Sequence, residues 1–190
     1  MHDRPRHASK VLAPKLLALA LCALACAAAQ PAAAQAPAPS ADWPARPNTA
    51  ASGGFAVVQV ATGDATQFIK DWSKPTPGAT LQVTSQIARG HPINTFITFR
   101  GCRADPAGKC NVTASFELRS PSGKVDAIPP LDVWANQPQP PAGIIQLSRG
   151  ALAMTFDATD ALGVYTIRGA TTDHVAGVTL VTQQEITVTN

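Results

Sequence analysis

The chain predicts an all-β fold, a single antiparallel β-sandwich of about eight or nine strands with one short N-terminal helical turn. Two observations predict it. From residue 55 onward apolar residues mostly alternate with polar ones, the period of a half-buried strand and not of a helix. Gly, Pro, Asn and Asp recur often enough to cut residues 55–190 into strand-sized pieces, and that stretch suits one domain with one core.

Two segments of different character precede this domain. Arg4, Arg6, Lys10 and Lys15 lead into an unbroken Ala/Leu/Cys run over residues 16–29, with small-residue sites at Ala27-Ala28-Ala29 and Ala32-Ala33-Ala34. A basic start, a short apolar run and a small-residue cleavage site make residues 1–34 a signal peptide. The run falls short of the roughly 20 apolar residues that span a bilayer, and no later stretch reads as a transmembrane segment. Cys26, preceded by Ala23-Leu24-Ala25, fits a lipid-attachment site poorly. Residues 35–54 carry Pro37, Pro39, Pro44 and Pro47 without a hydrophobic period and read as an Ala/Pro-rich disordered linker. The expected destination is the periplasm or the medium.

Removing the signal changes the charge balance. Of 15 Lys and Arg residues four leave, and of 12 Asp and Glu residues one leaves, so the mature chain holds 11 of each. A neutral chain gives no message of nucleic acid or anionic lipid, either of which calls for a clustered basic face. Cys22 and Cys26 leave too, and Cys102 and Cys110 remain. In an oxidising compartment two such cysteines are expected to pair, in preference to free thiols or a metal site, because His91 and His174 are the only histidines left. No metal or cofactor is expected. Closing this loop restricts the unfolded chain by about 2.5 kcal/mol.

Taken in order, the elements are as follows. Strands are expected at 55–61, 80–87, 93–100, 111–119, 131–135, 151–156, 164–170 and as a pair around 177–188. The stretch 111–119 is the clearest: Val112, Ala114, Phe116 and Leu118 fall on one face, and Asn111, Thr113, Ser115, Glu117 and Arg119 on the other. Residues 65–72 alone have helical spacing, with Phe68, Ile69 and Trp72 on one face and Asp64 or Thr66 able to cap the start. Trp72 reads as core in preference to a ligand platform. If Cys102 faces Cys110, 93–100 and 111–119 form a hairpin that sets Phe96 opposite Phe116 on the inner face. Ile93, Ile97 and Phe99 then lie outside and need cover from the helix or a bulge that shifts the register.

Two motifs resemble known domains. Phe116-Glu117-Leu118-Arg119-Ser120-Pro121-Ser122-Gly123-Lys124-Val125 resembles the strand and Pro-x-Gly-Lys turn of bacterial Ig-like and macroglobulin-like sandwich domains. Asp160-Ala161-Leu162-Gly163-Val164-Tyr165-Thr166-Ile167 resembles their corner pattern. The resemblance covers residues 55–190, is similar to exported proteobacterial proteins, and implies an Ig-like sandwich and no particular activity. It implies a structural corner of Asp160, Gly163 and Tyr165, the tyrosine hydroxyl tied to upstream backbone. Asp157 and Asp160 read as turn formers in preference to a calcium site. A thioester cysteine and tandem domains are missing, so protease trapping is not carried over.

No Gly-x-Ser-x-Gly elbow, paired-histidine zinc helix or phosphate loop occurs, and the chain is expected not to be an enzyme. The segment 128–143 draws more interest, with five prolines around Leu131-Asp132-Val133-Trp134. Strict alternation sets Asp132 and Trp134 on one face, so a wet Asp132 means a wet Trp134, and Trp134, Asp132 and Pro138 become a candidate contact site. The other reading packs Trp134 under the Pro-rich loop, and edge prolines can simply block strand addition. The expected function is a monomeric, non-catalytic binding module for a protein or cell-envelope component. A structural or assembly accessory subunit of an envelope complex is the alternative, with a hydrolase behind both.

Overall fold

A computed structural model describes residues 47–74 and 80–190. The expected signal peptide and most of the expected linker lie outside them. Ten strands and one helix follow the order β1 Thr49–Ser52, β2 Phe55–Thr62, α1 Ala65–Ser73, β3 Gln86–Ala88, β4 Pro92–Arg100, β5 Lys109–Arg119, β6 Val125–Pro138, β7 Gln146–Leu147, β8 Leu152–Thr155, β9 Gly163–Asp173 and β10 Val178–Thr189. One sheet runs β1-β2-β4, with β8 and β7 end to end along the far edge of β4, on residues 92–95 and 98–99. The other runs β3-β10-β9-β5-β6. Pairing is antiparallel throughout except between β3 and β10.

The connection between β4 and β5 crosses from one sheet to the other, the two sheets share one core, and a tyrosine stands near the start of β9. That is an Ig-like sandwich. It corrects the expected hairpin, since β4 and β5 belong to different sheets. Phe96 and Phe116 are therefore not partners: Phe116 lies in the core, while Phe96 points away from it and stacks on Phe68, centroids 5.2 Å apart. Ile93, Ile97 and Phe99 face the core. The physical reason is burial on both sides of β4, whose odd residues fill the space between sheets while helix α1 covers Phe96.

Helix α1 begins where its cap predicts, the Gln67 amide donating to Asp64 Oδ1 at 2.9 Å. Phe68 is its one fully buried side chain; Trp72 is half-buried and stacks on Phe68, and Ile69 stays largely exposed. Two short strands were not expected. One, β1, folds Thr49–Ser52 of the expected linker onto β2 through Gly53-Gly54, and the other, β7, is two residues long. The expected strand at 80–87 shrinks to β3.

A polar contact fixes how the sheets stack. Gln59 of β2 is fully buried, donates from Nε2 to the Ile167 carbonyl of β9, and accepts from Thr182 Oγ1 of β10 at 2.8 Å. Gly169 makes room for it, since a Cβ there would come within 2.9 Å of the Gln59 amide oxygen. Unpaired, that amide would be costly to bury; paired, it ties one sheet to the other at one register.

Candidate functional site

The two ends of the sandwich differ in construction. At the corner end lie residues 89–91, the β5–β6 turn at 120–124 and the β8–β9 connection at 156–162. Tyr165 opens β9 here, packs on Phe156 with centroids 4.5 Å apart, and donates its hydroxyl to the Ala161 carbonyl at 3.1 Å. A hydroxyl tied in this way to upstream backbone has the geometry of a tyrosine corner. Burial first, and then the Asp160 carboxylate, hold the phenol above its ordinary pKa. Gly163, with φ +125°, leaves space against the Pro121 ring. Asp160 Oδ2 accepts from the Asp157 amide, and Asp157 Oδ1 accepts from the Thr159 amide and hydroxyl. The Thr159 hydroxyl and amide hold the Asp157 carboxyl below the usual carboxylate range. Arg89 donates to the Asp160 carbonyl. Both aspartates thus serve turn amides.

A cleft of about 530 Å³ opens at this end, lined by Leu118, Ser120, Lys124, Asp126, Phe156 and Tyr165 among others. Within its lining Lys124 pairs with Asp126 at 2.9 Å, and the Ser120 and Ser122 hydroxyls lie 2.9 Å apart.

The other end, here the loop end, gathers the Gly53-Gly54 turn, the β4–β5 connection at 101–108, the β6–β7 connection at 139–145 and the β9–β10 turn at 174–177. Three ties hold these segments together. Cys102 and Cys110 are bonded, as expected, and both are buried. Asp173, fully buried, accepts from the Arg103 amide at 2.7 Å with Oδ2 and from the Val175 and Ala176 amides at 3.0 and 3.1 Å with Oδ1. Gln139 donates its backbone amide to the Gly108 carbonyl and its side-chain amide to the Cys102 carbonyl at 2.8 Å. Gly101, at φ +73°, lets the β4 exit pass against the Gly54 carbonyl, which any Cβ would strike at 2.2 Å. Within the loop, Asp105 Oδ1 accepts from the Ala107 and Lys109 amides.

The expected contact residues sit beside this end, arranged differently from the expectation. Three register shifts interrupt the pairing of β5 with β6: Val112 pairs with Trp134 and Thr113 with Asp132, leaving Val133 between them; Asn136 is skipped between Ala135 and Gln137; and Pro129 and Pro130 lie between the partners of Phe116 and Ala114. Trp134 therefore takes the side of buried Val112, and Asp132 the side of Thr113. The two do not share a face. Trp134 is half-buried, packs on Phe99 with centroids 5.9 Å apart, and donates its indole N–H to the Pro138 carbonyl at 2.9 Å. Asp132 is exposed and caps the bulge by accepting from the Ala135 amide at 2.6 Å. Pro138 is exposed opposite Lys109.

What the loop end turns outward is a second set of residues. Arg100, Arg103 and Lys109 are exposed, and among the described residues none of their side chains joins an ion pair. Ile144 and Ile145 are 50% and 53% exposed and follow the turn that the Ile144 amide closes onto the Pro141 carbonyl. Two shallow clefts flank Gly101 and Gln139, one reaching Arg103 and the other Arg100 and Pro140 to Gly143. Sequence reasoning did not single these residues out; the available signal was an Ile-Ile pair outside any strand alternation. His174 is at this end, with Nε2 2.8 Å from Thr113 Oγ1, while His91 is at the corner end, so the fold separates the two histidines.

Comparison with known proteins yields likeness of shape at low levels. No family model matches the chain, and no curated protein matches it. Among solved structures, the PKD domain of an M14-like peptidase from Thermoplasmatales archaeon SCGC AB-540-F20 is similar at 21% identity and a TM-score of 0.31, over 56% of this chain and 87% of that one. The alkylpurine DNA glycosylase AlkC of Pseudomonas fluorescens is similar at 15% identity and a TM-score of 0.33, over 56% of this chain and 28% of its own. A family 123 glycoside hydrolase from Clostridium perfringens is similar at 12% identity and a TM-score of 0.37, over 70% of this chain and 27% of its own.

Proposed function

We propose that this chain is an exported, non-catalytic binding domain that meets a protein or cell-envelope component with the loop end of its sandwich. The observation that carries this reading is the bracing of that end. A disulfide, a buried carboxylate holding three amides and a glutamine bridging two segments fix loops whose outward side chains are left for other contacts. Loops held on a rigid scaffold are where recognition is usually placed, and fixing them beforehand lowers the entropy lost on association. At the corner end, by contrast, Lys124 pairs with Asp126, the Ser120 and Ser122 hydroxyls meet, and Asp157 and Asp160 hold turn amides. The disulfide supports export, since such bonds persist in oxidising compartments.

The test is site-specific photo-cross-linking in intact cells, with the reactive side chain at position 145 of the loop end or position 122 of the corner end. Adducts from position 145 and none from 122 are expected. Adducts from 122 alone, or equally from both, would overturn the reading.

A further inference from the structure

Charge cancels along the mature chain, yet it is not spread evenly over the surface. Arg100, Arg103 and Lys109 all stand at the loop end, exposed and outside any ion pair. Of the acidic groups nearest them, Asp173 is fully buried on three amides, Asp105 is half-buried with Oδ1 on two amides, and Asp132, beside this end, is exposed with Oδ1 on the Ala135 amide. The ribbon from Pro138 to Ile145 links the three cations. Pro138 pairs with Lys109, Gln139 bonds the Cys102 carbonyl beside Arg103, and Arg100 lines a cleft with Pro140, Pro141 and Gly143. The ribbon ends in the exposed pair Ile144 and Ile145.

We infer that this end docks on the surface of a bilayer rich in anionic phospholipid, the isoleucine pair entering the headgroup boundary and the three cations meeting phosphates around it. This rests on the loop-end reading above and names the partner class. Charge complementarity selects an anionic surface. The residues between the cations select lipid over a folded protein. They are aliphatic side chains and prolines beside open clefts, not an aromatic anchor in a closed pocket, and Trp134 is turned onto Phe99. The placement matters as well: all these groups occupy one end of the sandwich, where they can meet a flat surface together. Long cationic stems beside buried aliphatics are the usual arrangement at a headgroup interface.

The test floats the exported, purified protein with vesicles of phosphatidylcholine, alone or with a third of phosphatidylglycerol. Flotation is expected with the anionic vesicles only, and it should fade at high salt. Arg100→Gln with Arg103→Gln should lower the partition coefficient roughly 30-fold. Ile144→Ser with Ile145→Ser should weaken it comparably, and Lys124→Gln at the corner end should leave it unchanged. A melt of each variant checks folding, and Lys109→Gln replaces any that unfolds. No flotation, or an equal loss in Lys124→Gln, overturns the inference. If vesicles fail while cross-linking at position 145 still captures an envelope protein, the lipid partner is wrong and the loop-end reading stands; if both fail, both fall.

Discussion

Asp173→Ala tests the bracing of the loop end directly. The carboxylate lies fully buried at the end of β9 and accepts three backbone amides, one from the β4–β5 connection and two from its own turn. Hydrogen bonds to a charged acceptor contribute about 1.5–3 kcal/mol each, so three independent ones would sum to several kcal/mol. Two effects reduce that sum. The donor amides are only partly buried, so water can replace some of the lost bonds, and removing the carboxylate also removes the cost of having buried it. A net loss of about 3 kcal/mol is expected. Urea unfolding reads it as a lower midpoint at unchanged slope. Asp173→Asn keeps the shape and one acceptor oxygen and should cost about half as much. Hydrogen exchange at Arg103 should quicken in the alanine variant while the Phe116 amide in mid-strand stays slow. A loss below about 1 kcal/mol, with Arg103 exchange unchanged, would refute the claim that this carboxylate ties the two loops.

Three further outcomes follow from the same structure. Tyr165 is the single tyrosine, so tyrosinate absorbance reads it alone, and it should titrate above the ordinary value of about 10. Because the folded-state pKa is raised, its stabilising contribution is complete below the unfolded value and is lost as pH rises through the folded one; Tyr165→Phe should remove that alkaline loss, and a titration at the ordinary value would count against a buried corner. Gly101→Ala combines a positive φ with a Cβ placed 2.2 Å from the Gly54 carbonyl, and should cost several kcal/mol or block folding; a melt within a few degrees of wild type would contradict the close approach. Trp134→Ala should destabilise by about 2–3 kcal/mol, short of the full core penalty because the indole is half-buried, and an unchanged melting temperature would mean that the Phe99 contact contributes nothing.

The sequence makes legible what local pattern determines. The face of β5 follows from Val112, Ala114 and Phe116 at period two, the start of α1 from Asp64, and the corner from a lone tyrosine behind a glycine. Strand pairing was not legible, because β4 and β5 are neighbours in sequence and either a hairpin or a crossing satisfies the same alternation. The arrangement turns on which side of β4 needs more cover, and that depends on Phe68 and on β2, which pairs with it from a distance along the chain.

The candidate site was legible only in part. The cysteine pair follows from composition and compartment. Trp134 was drawn to the wrong face because a bulge at Val133 breaks the alternation, and nothing in Leu131-Asp132-Val133-Trp134 announces a bulge. Asp173 and Gln139 look like ordinary turn and loop residues until the fold brings amides from other segments to them. Charge sums also hide where the charges go: residues 35–190 hold 11 basic and 11 acidic side chains, and three of the cations stand exposed at one end.

Hydrogen exchange of the purified protein with and without isolated envelope tests the central claim most directly. Amides in residues 101–109 and 139–145 should slow in the presence of envelope, while those in 120–124 and 157–162 exchange as before. Slowing confined to the corner end, or to the open sheet faces, would contradict the assignment of binding to the loop end.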